Sequence, residues 1–277
     1  FPFAARTSDL EAVGGKGLSL ASMSHAGFDV PPGFTIATSA YREFVTTGDL
    51  QQKIIGLARP ELVGRTISFE AASESIQALF AGAELSNSLK TQIADAYGEL
   101  GETPVAVRSS ANAEDLPDLS FAGQQDTYLN VRGVDAVGAA VLNCWASLWT
   151  ARAIGYRHEN DIAQDAVAMA VVIQSMVPSN VSGILFTANP VTGERSEMIV
   201  NASFGLGEAV VGGEVTPDTF IIERDTLAVK EKMIGGKQHM IVPADGQGTN
   251  TRELTAAERE QASVAEPLLK TLAALAI

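Results

Sequence analysis

The sequence predicts a mixed α/β (α+β) protein with a helix-rich first part, residues 1–174, and a strand-rich second part, residues 175–277. Before residue 100, apolar residues recur every three to four positions, as they do in amphipathic helices. From Val167 onward, short apolar runs alternate with proline and glycine, which is the pattern of strands and turns. Since 46% of the 277 residues are hydrophobic, the chain has enough material for a core, and global disorder is excluded.

The charge, the length of the apolar stretches and the cysteine content indicate which partners and which cellular location to expect. With 33 acidic and 19 basic side chains, the net charge is −14, so we expect no nucleic-acid partner. No uninterrupted apolar stretch reaches the roughly 20 residues that span a bilayer, so we expect a soluble protein and no membrane partner. Cys144 is the only cysteine, which excludes an internal disulfide and fits the cytoplasm; we expect it to be a small buried side chain.

The first part begins with a helix predicted over residues 16–27. This helix opens from the glycines of the stretch VGGKG and closes at Gly27, and the following VPPGFTIAT predicts a turn and a short strand. Ser86 is a typical N-cap for the last of the helices that come next. These helices are predicted at about 39–47, 49–58, 68–81 and 86–98.

The middle of the chain predicts two strands joined by a polar loop. Val105–Val107 predicts the first strand, Arg108 to Gly123 a long polar loop, and Thr127–Val131 the second strand. Asp135 is predicted to cap the helix that follows. The buried face of that helix is predicted to consist of Val137, Val141, Cys144, Trp145 and Leu148.

The second part predicts strands with a single helix at its end. Arg224–Asp225 is the expected turn of a hairpin, and Thr255 with Glu258 forms a capping box that predicts a final helix carrying Leu268, Leu269 and Leu272. The predicted strands are Val167–Gln174, Gly183–Thr187, Met198–Ala202, Thr219–Glu223 and Leu227–Met233.

The first candidate site is Val13 to Gly17, the stretch VGGKG at the predicted helix start. Unpaired backbone N–H groups and the positive end of the helix dipole attract an anion there, and Lys16 adds a point charge, so phosphate is the natural ligand. The stretch lacks the spacing of a Walker A loop. The alternative is a tight turn with a solvated lysine.

The second candidate site is the block from Val105 to Val131. Arg108 offers a guanidinium fork for phosphate oxygens, and Ser109 and Ser110 add hydroxyls, so donors are concentrated at the end of one strand. Gly123 and Thr127, with Ser120, form a second donor-rich approach. The alternative is that Arg108 pairs with Glu114 or Asp115 and only stabilises its own loop.

Two further candidates are weaker. Gln174, at the end of an apolar strand, has an amide suited to the edge of a nucleobase, although a glutamine satisfied inside a domain junction is the alternative. The stretch SFGLGEAVVGGEVTPD is interpreted as a mobile loop that carries Glu208 and Glu214 toward a cation, or simply as a solvated turn. The three histidines have no metal-ligand spacing and are expected at the surface or at helix ends, so no metal ligand is assigned.

Five stretches of the sequence carry a family resemblance. In chain order they are VGGKGLSLASM with GFDVPPGFTIAT, VAVRSSANAEDLPDLSFAGQQDTYLNV, CWASLWTARAIGYR, VVIQSMVPSNVSGILFTANPVTG and NASFGLGEAVVGGEVTPD. Together they resemble the N-terminal nucleotide-binding domain of the phosphoenolpyruvate-utilising dikinases, a family that includes phosphoenolpyruvate synthase, pyruvate phosphate dikinase and rifampin phosphotransferase. The resemblance implies an ATP-grasp fold of two lobes with ATP between them.

The resemblance also implies roles for individual residues. Lys16 and Arg108 would hold phosphates and act in catalysis, Gly123 and Thr127 would lie along the phosphate and sugar, and Gln174 would read the adenine. The sequence departs from the usual pattern at Asn112 and Leu119, both in the polar loop. The activity implied is ATP-dependent phosphotransfer, in which ATP becomes AMP and a phosphoryl group passes to a histidine on a swivelling domain and then to pyruvate or an antibiotic hydroxyl.

The resemblance implies Mg²⁺ as a cofactor as well as ATP. The main metal ligands of the family, a glutamate and a glutamine in later stretches, are expected beyond residue 277, so the second lobe is expected to be incomplete at its C-terminal end. The phosphohistidine domain and the substrate domain are expected elsewhere, and the chain alone is expected to be inactive. The alternative function is a non-catalytic, stand-alone nucleotide-binding module.

Overall fold

A computed structural model describes residues 1–3, 9–111 and 127–277. Contacts between Cα atoms divide the chain into two units, Phe1–Met176 and Val177–Ile277. Each unit combines helices with antiparallel strands, which confirms the mixed α/β class. The division into lobes of 1–174 and 175–277 stays a prediction. In the described ranges, no helix has both the length and the apolar character that crossing a membrane requires.

The first unit contains the helices α1 to α7 and the strands β1 to β6. Strands β1, β6, β4 and β5 form one antiparallel sheet in that order, and β2 pairs with β3 in a separate hairpin. The elements in chain order are α1 (Leu10–His25), β1 (Gly33–Ile36), α2 (Thr38–Thr46), α3 (Leu50–Leu57), β2 (Glu61–Val63), β3 (Thr66–Ser68), α4 (Glu70–Ala81), α5 (Asn87–Glu99), β4 (Val105–Ala111), β5 (Thr127–Val131), α6 (Val134–Ala146), α7 (Ala151–Glu159) and β6 (Met169–Ser175).

Helices cover both faces of the four-stranded sheet, and buried apolar side chains of its strands pack against them on each face. On one face, Val105, Val107 and Ile173 join the large core formed with α2 to α7. On the other face, Val172 packs with Leu20 of α1. The sheet is therefore the middle layer of the unit, and α1 is the helix on the second face.

An aromatic cluster lies in the large core. The Tyr41 and Trp145 rings meet edge to face with centroids 5.7 Å apart, and the Trp149 indole N–H donates to the Tyr41 hydroxyl at 3.1 Å. Burial raises the pKa of Tyr41 to about 12, so its hydroxyl stays neutral near pH 7. The Arg157 guanidinium carbon lies 4.9 Å from the centroid of the Trp149 ring. Burial lowers the pKa of Arg157 to about 10. Cys144 is fully buried, as predicted.

The predicted helices α2 to α5 are confirmed to within two residues, and Ser86 caps α5 by accepting a hydrogen bond from the Leu89 N–H at 3.3 Å. The predicted start of the polar loop at Arg108 is wrong, because pairing with β6 continues β4 as far as Ala111; the rest of that loop lies outside the described residues. The predicted cap Asp135 is also wrong: Gly133 is the N-cap of α6, and Asp135 lies in the first turn. Helix α7 and the hairpin of β2 and β3 were not predicted.

The second unit is built on the antiparallel sheet β10, β9, β8 and β7. One face of this sheet forms a core with Leu269 and Ala273 of α10. The remaining elements in chain order are β7 (Val181–Phe186), β8 (Glu197–Phe204), α8 (Glu208–Val211), β9 (Asp218–Glu223), β10 (Val229–Met233), β11 (His239–Pro243), β12 (Thr249–Glu253), α9 (Ala256–Glu260) and α10 (Glu266–Leu275). The hairpin of β9 and β10 is confirmed, whereas that of β11 and β12 was not predicted.

A buried ion pair joins three segments of the second unit. The Asp218 carboxylate accepts hydrogen bonds from the Lys237 ammonium group, from the Gly235 N–H at 2.9 Å and from the Ser263 N–H at 2.6 Å. The side chains of Asp218 and Lys237 are fully buried. A single carboxylate thus holds the start of β9, the segment after β10 and the segment between α9 and α10.

The single final helix predicted from Thr255 is wrong, because two helices are present. The capping box of Thr255 and Glu258 forms as predicted, but α9 ends at Glu260, and Gln261 is extended. Ser263 then donates its backbone N–H to Asp218, which holds this segment outside a helix, and Pro267 lies in the first turn of the separate helix α10.

The Glu258 carboxylate of the capping box is expected to make a pH-dependent contribution to the stability of the fold. The Arg252 guanidinium, together with the Thr255 backbone and hydroxyl, lowers the pKa of Glu258 to about 2 from 4.5. Because the pKa of Glu258 is lower in the folded state, the ionised carboxylate contributes its full stabilisation of the fold above pH 4.5. This contribution is lost as the pH falls through about 2. We expect Arg252→Ala to raise the Glu258 pKa measured by NMR titration and Arg65→Ala, in the other unit, to leave it unchanged. An unaltered titration in Arg252→Ala would contradict this assignment.

Candidate functional site

The predicted glycine and lysine stretch lies within α1, where Gly14 interrupts the helix. Helical residues begin at Leu10, six residues before the predicted start at residue 16, and Asp9 caps them by accepting from the Ala12 N–H at 3.1 Å. Gly14 has φ 69° and ψ 173°, a conformation that is essentially restricted to glycine. A Cβ atom at Gly14 would lie 2.2 Å from the Ser110 carbonyl oxygen. The interruption therefore brings α1 against β4.

The hydroxyl of Ser110 bridges this interruption. Its Oγ donates to the Val13 carbonyl oxygen at 2.9 Å and accepts from the Gly17 N–H at 3.2 Å. Val13 C=O and Gly17 N–H are the two groups that an uninterrupted helix would pair with each other, four residues apart. Lys16 precedes Gly17 and is half-buried. One N–H of the predicted anion site is therefore bonded to protein, and the Lys16 turn is fixed to the strand that carries Arg108.

Arg108 and Thr127 are direct partners across β4 and β5. Direct partners in an antiparallel pair have side chains on the same face, with Cβ atoms about 5 Å apart. Arg108 also pairs with Val172, which packs against α1, so all three residues lie on the α1 face. Ser109 is on the opposite face because side chains alternate along a strand. Of the donors predicted together at one strand end, Arg108 and the buried Ser110 therefore share the α1 face with Thr127, whereas Ser109 does not.

Gln174 lies on the same face of the sheet. It pairs with Ala106 of β4, two residues from Arg108, which makes Gln174 and Arg108 diagonal neighbours with Cβ atoms about 7 Å apart. The Gln174 Nε2 donates to the Pro31 carbonyl oxygen at 3.2 Å, and its side chain is half-buried. This contact fixes the orientation of the amide within the first unit.

Part of the predicted site, including one assigned residue, lies outside the described residues. Gly123 falls in 112–126, as do Glu114 and Asp115, the alternative partners of Arg108. Within the described ranges, no group of three or more His, Cys, Asp or Glu side chains is placed to hold a metal ion. The expectation that magnesium ligands lie beyond residue 277 stays a prediction.

The glycine-rich stretch of the second unit is only partly regular, because Glu208 lies in a short helix whereas residues 212–217, which include Glu214, lie outside helices and strands, as the loop interpretation predicts. It contains α8, and the Leu206 N–H donates to the Ile241 carbonyl oxygen at 2.8 Å. Burial, with a smaller effect of the nearby Glu214, raises the pKa of Glu208. The Glu214 carboxylate also lies 3.4 Å from the imidazole of His239. His25 and His158 lie at the ends of α1 and α7 as predicted, whereas His239 begins β11.

Comparison with known proteins places the chain among nucleotide-binding domains. The family model described as "Pyruvate phosphate dikinase, AMP/ATP-binding domain" matches residues 10–277. The phosphoenolpyruvate synthase of Aeropyrum pernix is 46% identical over 235 residues, covering 82% of this chain and 29% of the relative. A probable phosphoenolpyruvate synthase of Pyrococcus horikoshii is 42% identical over 284 residues, covering 88% of this chain and 35% of the relative. The chain therefore spans about a third of the length of these relatives.

Proposed function

Because the chain belongs to the pyruvate phosphate dikinase AMP/ATP-binding domain family, we propose that it is the ATP-binding portion of a dikinase-type phosphotransferase. In this reaction ATP and water are converted to AMP and inorganic phosphate: one phosphoryl group of ATP passes to a histidine of another domain and then to the acceptor, and the other is transferred to water. Pyruvate is the favoured acceptor, since similar proteins are named phosphoenolpyruvate synthases; an antibiotic hydroxyl is the other acceptor class.

The observation that carries this proposal is the common face of the first sheet. Arg108, Thr127 and Gln174 lie on the face against which α1 packs, and the Lys16 turn is attached to the same strand as Arg108. A guanidinium, a lysine turn fixed to the same strand, a hydroxyl and an amide match the chemistry of a nucleotide, which has charged phosphates at one end and a polar base at the other. Gly123 lies outside the described ranges, so its proposed role along the phosphate and sugar rests on the family resemblance alone.

Each residue has a distinct part in the proposed site. Arg108 forks onto two phosphate oxygens, Lys16 contributes a point charge, and the Thr127 hydroxyl hydrogen-bonds along the phosphate and sugar. Gln174 reads the adenine edge. Its amide carries a second N–H and a carbonyl oxygen besides the N–H given to Pro31, so that contact orients the side chain and leaves hydrogen-bonding capacity for the base.

The wider proposal concerns the fold, the metal and the other domains. We propose an ATP-grasp fold, which the two units with their four-stranded antiparallel sheets support. Mg²⁺ is proposed as the second cofactor, with its main ligands outside the described residues, and no step here is assigned to it. Phosphohistidine and substrate domains complete the enzyme in the cytoplasm. The isolated chain is therefore proposed to be inactive, and steady AMP formation by it, abolished in Lys16→Ala, would contradict this.

Arg108→Lys and Lys16→Met test the phosphate contacts. We expect each variant to bind ATP about 10-fold more weakly than the wild-type chain in calorimetric titrations, with an unchanged melting temperature. A lysine keeps the charge of Arg108 but lacks its planar fork, so even this conservative change is expected to cost affinity. The matched controls are Arg65→Lys and Lys53→Met, which alter exposed side chains of the same unit and should bind ATP normally.

Two outcomes would overturn the assignment. If the folded wild-type chain gives neither heat nor thermal stabilisation with millimolar ATP, it has no nucleotide site. If it binds ATP and both site variants bind equally well, nucleotide binding stands but the phosphate contacts have been assigned to the wrong residues.

A further inference from the structure

The two cationic residues proposed to bind phosphate come from segments far apart in the chain. Lys16 lies in α1 and Arg108 in β4, 92 positions later. A bidentate guanidinium and an ammonium group bind one phosphate chain well only if their backbones are held at a fixed separation. Some structural element must therefore set the distance between these two segments.

Ser110 is the residue that makes this connection. It is fully buried, lies two residues after Arg108 on the same strand face, and bonds through one hydroxyl to Val13 and Gly17 on either side of Lys16. These bonds reach 97 and 93 residues along the chain. Gly14 makes the approach possible, since a side chain there would overlap the Ser110 backbone.

We propose that Ser110 is a positioning residue for ATP, which fixes the Lys16 turn relative to Arg108 through its hydroxyl. The proposal rests on the proposed function of this face. Ser110 does not need to touch the nucleotide, because its oxygen is already engaged by two backbone groups of α1. Its removal leaves the Val13 carbonyl and the Gly17 N–H without this partner at a buried site, and the Lys16 turn then loses its fixed distance from Arg108.

The chemical consequence is specific to the phosphates. A displaced Lys16 turn weakens ligands that carry phosphate groups, whereas the base and the ribose depend on contacts elsewhere. A general loss of stability would instead weaken adenosine and ATP together, because both require the folded sheet. The ratio of the two affinities therefore separates positioning from support of the fold.

Ser110→Ala and Ser109→Ala form a matched pair for the test. Both remove a buried hydroxyl from β4, but the Ser109 side chain is on the opposite face. We expect Ser110→Ala to weaken ATP binding about 3- to 10-fold while leaving adenosine affinity unchanged, and Ser109→Ala to preserve the ratio of the two affinities. Ser110→Cys, which keeps a weak donor and acceptor, should fall between Ser110→Ala and the wild type, and it serves if the alanine variant does not fold.

Amide hydrogen exchange provides a second measurement on the same proteins. Exchange at Gly17 should accelerate in Ser110→Ala and stay unchanged in Ser109→Ala. If Ser110→Ala and Ser110→Cys keep the wild-type ratio of ATP to adenosine affinity, Ser110 has no positioning role although the nucleotide site stands. If the wild-type chain binds no ATP, the proposed function fails, and the role of Ser110 fails with it.

Discussion

Replacing Gly14 by alanine is expected to destabilise the first unit by about 3 to 5 kcal/mol and to abolish measurable ATP binding. Two effects combine. The backbone at φ 69° and ψ 173° strains any residue with a side chain, at about 1 to 3 kcal/mol, and the new Cβ would lie 2.2 Å from the Ser110 carbonyl oxygen. Relieving that overlap requires α1 and β4 to separate, which moves Lys16 away from Arg108.

Gly133→Ala is the matched control for this prediction. Gly133 has similar dihedral angles, φ 85° and ψ 149°, but among the residues that the structure describes no atom beyond its two chain neighbours lies within 4 Å of the position of its Cβ. Gly133→Ala therefore introduces backbone strain but no steric overlap. We expect its free energy of unfolding to fall by about 1 to 3 kcal/mol and its ATP binding to stay normal. Urea unfolding followed by circular dichroism gives both stabilities. Equal losses in the two variants would show that contact with Ser110 does not matter.

Breaking the buried ion pair between Asp218 and Lys237 is expected to cause the second large loss of stability. Lys237→Met leaves the Asp218 carboxylate charged and fully buried with only its two backbone donors, and such a loss typically costs about 3 to 5 kcal/mol. Asp218→Asn has a similar cost, because it leaves the lysine without its counter-charge. We expect faster amide exchange throughout β8 and β9 of the second unit in either variant.

The double variant and an exposed pair complete this experiment. Asp218→Asn combined with Lys237→Met should cost less than the sum of the single changes, since it removes both charges together. Lys90→Met disrupts an exposed pair with Glu84, 2.9 Å apart, and should change stability very little. Full additivity of the two buried changes would show that Lys237 and Asp218 do not stabilise each other.

Local signals in the sequence predicted those parts of the fold that depend on neighbouring residues. Helix α5 has both a cap at Ser86 and an apolar face, and β9 and β10 are adjacent strands with a turn between them, so each was predicted with nearly correct bounds. The continuation of β4 through Ser110 was missed because serine and arginine are typical of loops. Only pairing with β6, some 60 residues later, explains their strand conformation.

The site was predicted in its residue types but not in its connections. Helix-start, strand-end and amide chemistry indicate Lys16, Arg108 and Gln174, whereas the sequence presents Ser110 only as one of two equivalent phosphate donors, beside Ser109. Alternation along the strand would have separated Ser109 from Ser110 if the strand had been predicted to continue. The contact between Ser110 and Gly14 has no local signal, because it joins residues 96 positions apart.

The aromatic cluster of the first unit has an optical consequence. The chain has two tryptophans and four tyrosines, and all of them lie before residue 177, with Trp145, Trp149 and Tyr41 in contact. Intrinsic fluorescence excited at the indole band therefore reports on the first unit alone, and the second unit is invisible to it. Melting of the second unit in the Lys237 variants would pass without a change in emission, while the Gly14 variant would shift the emission spectrum to longer wavelength.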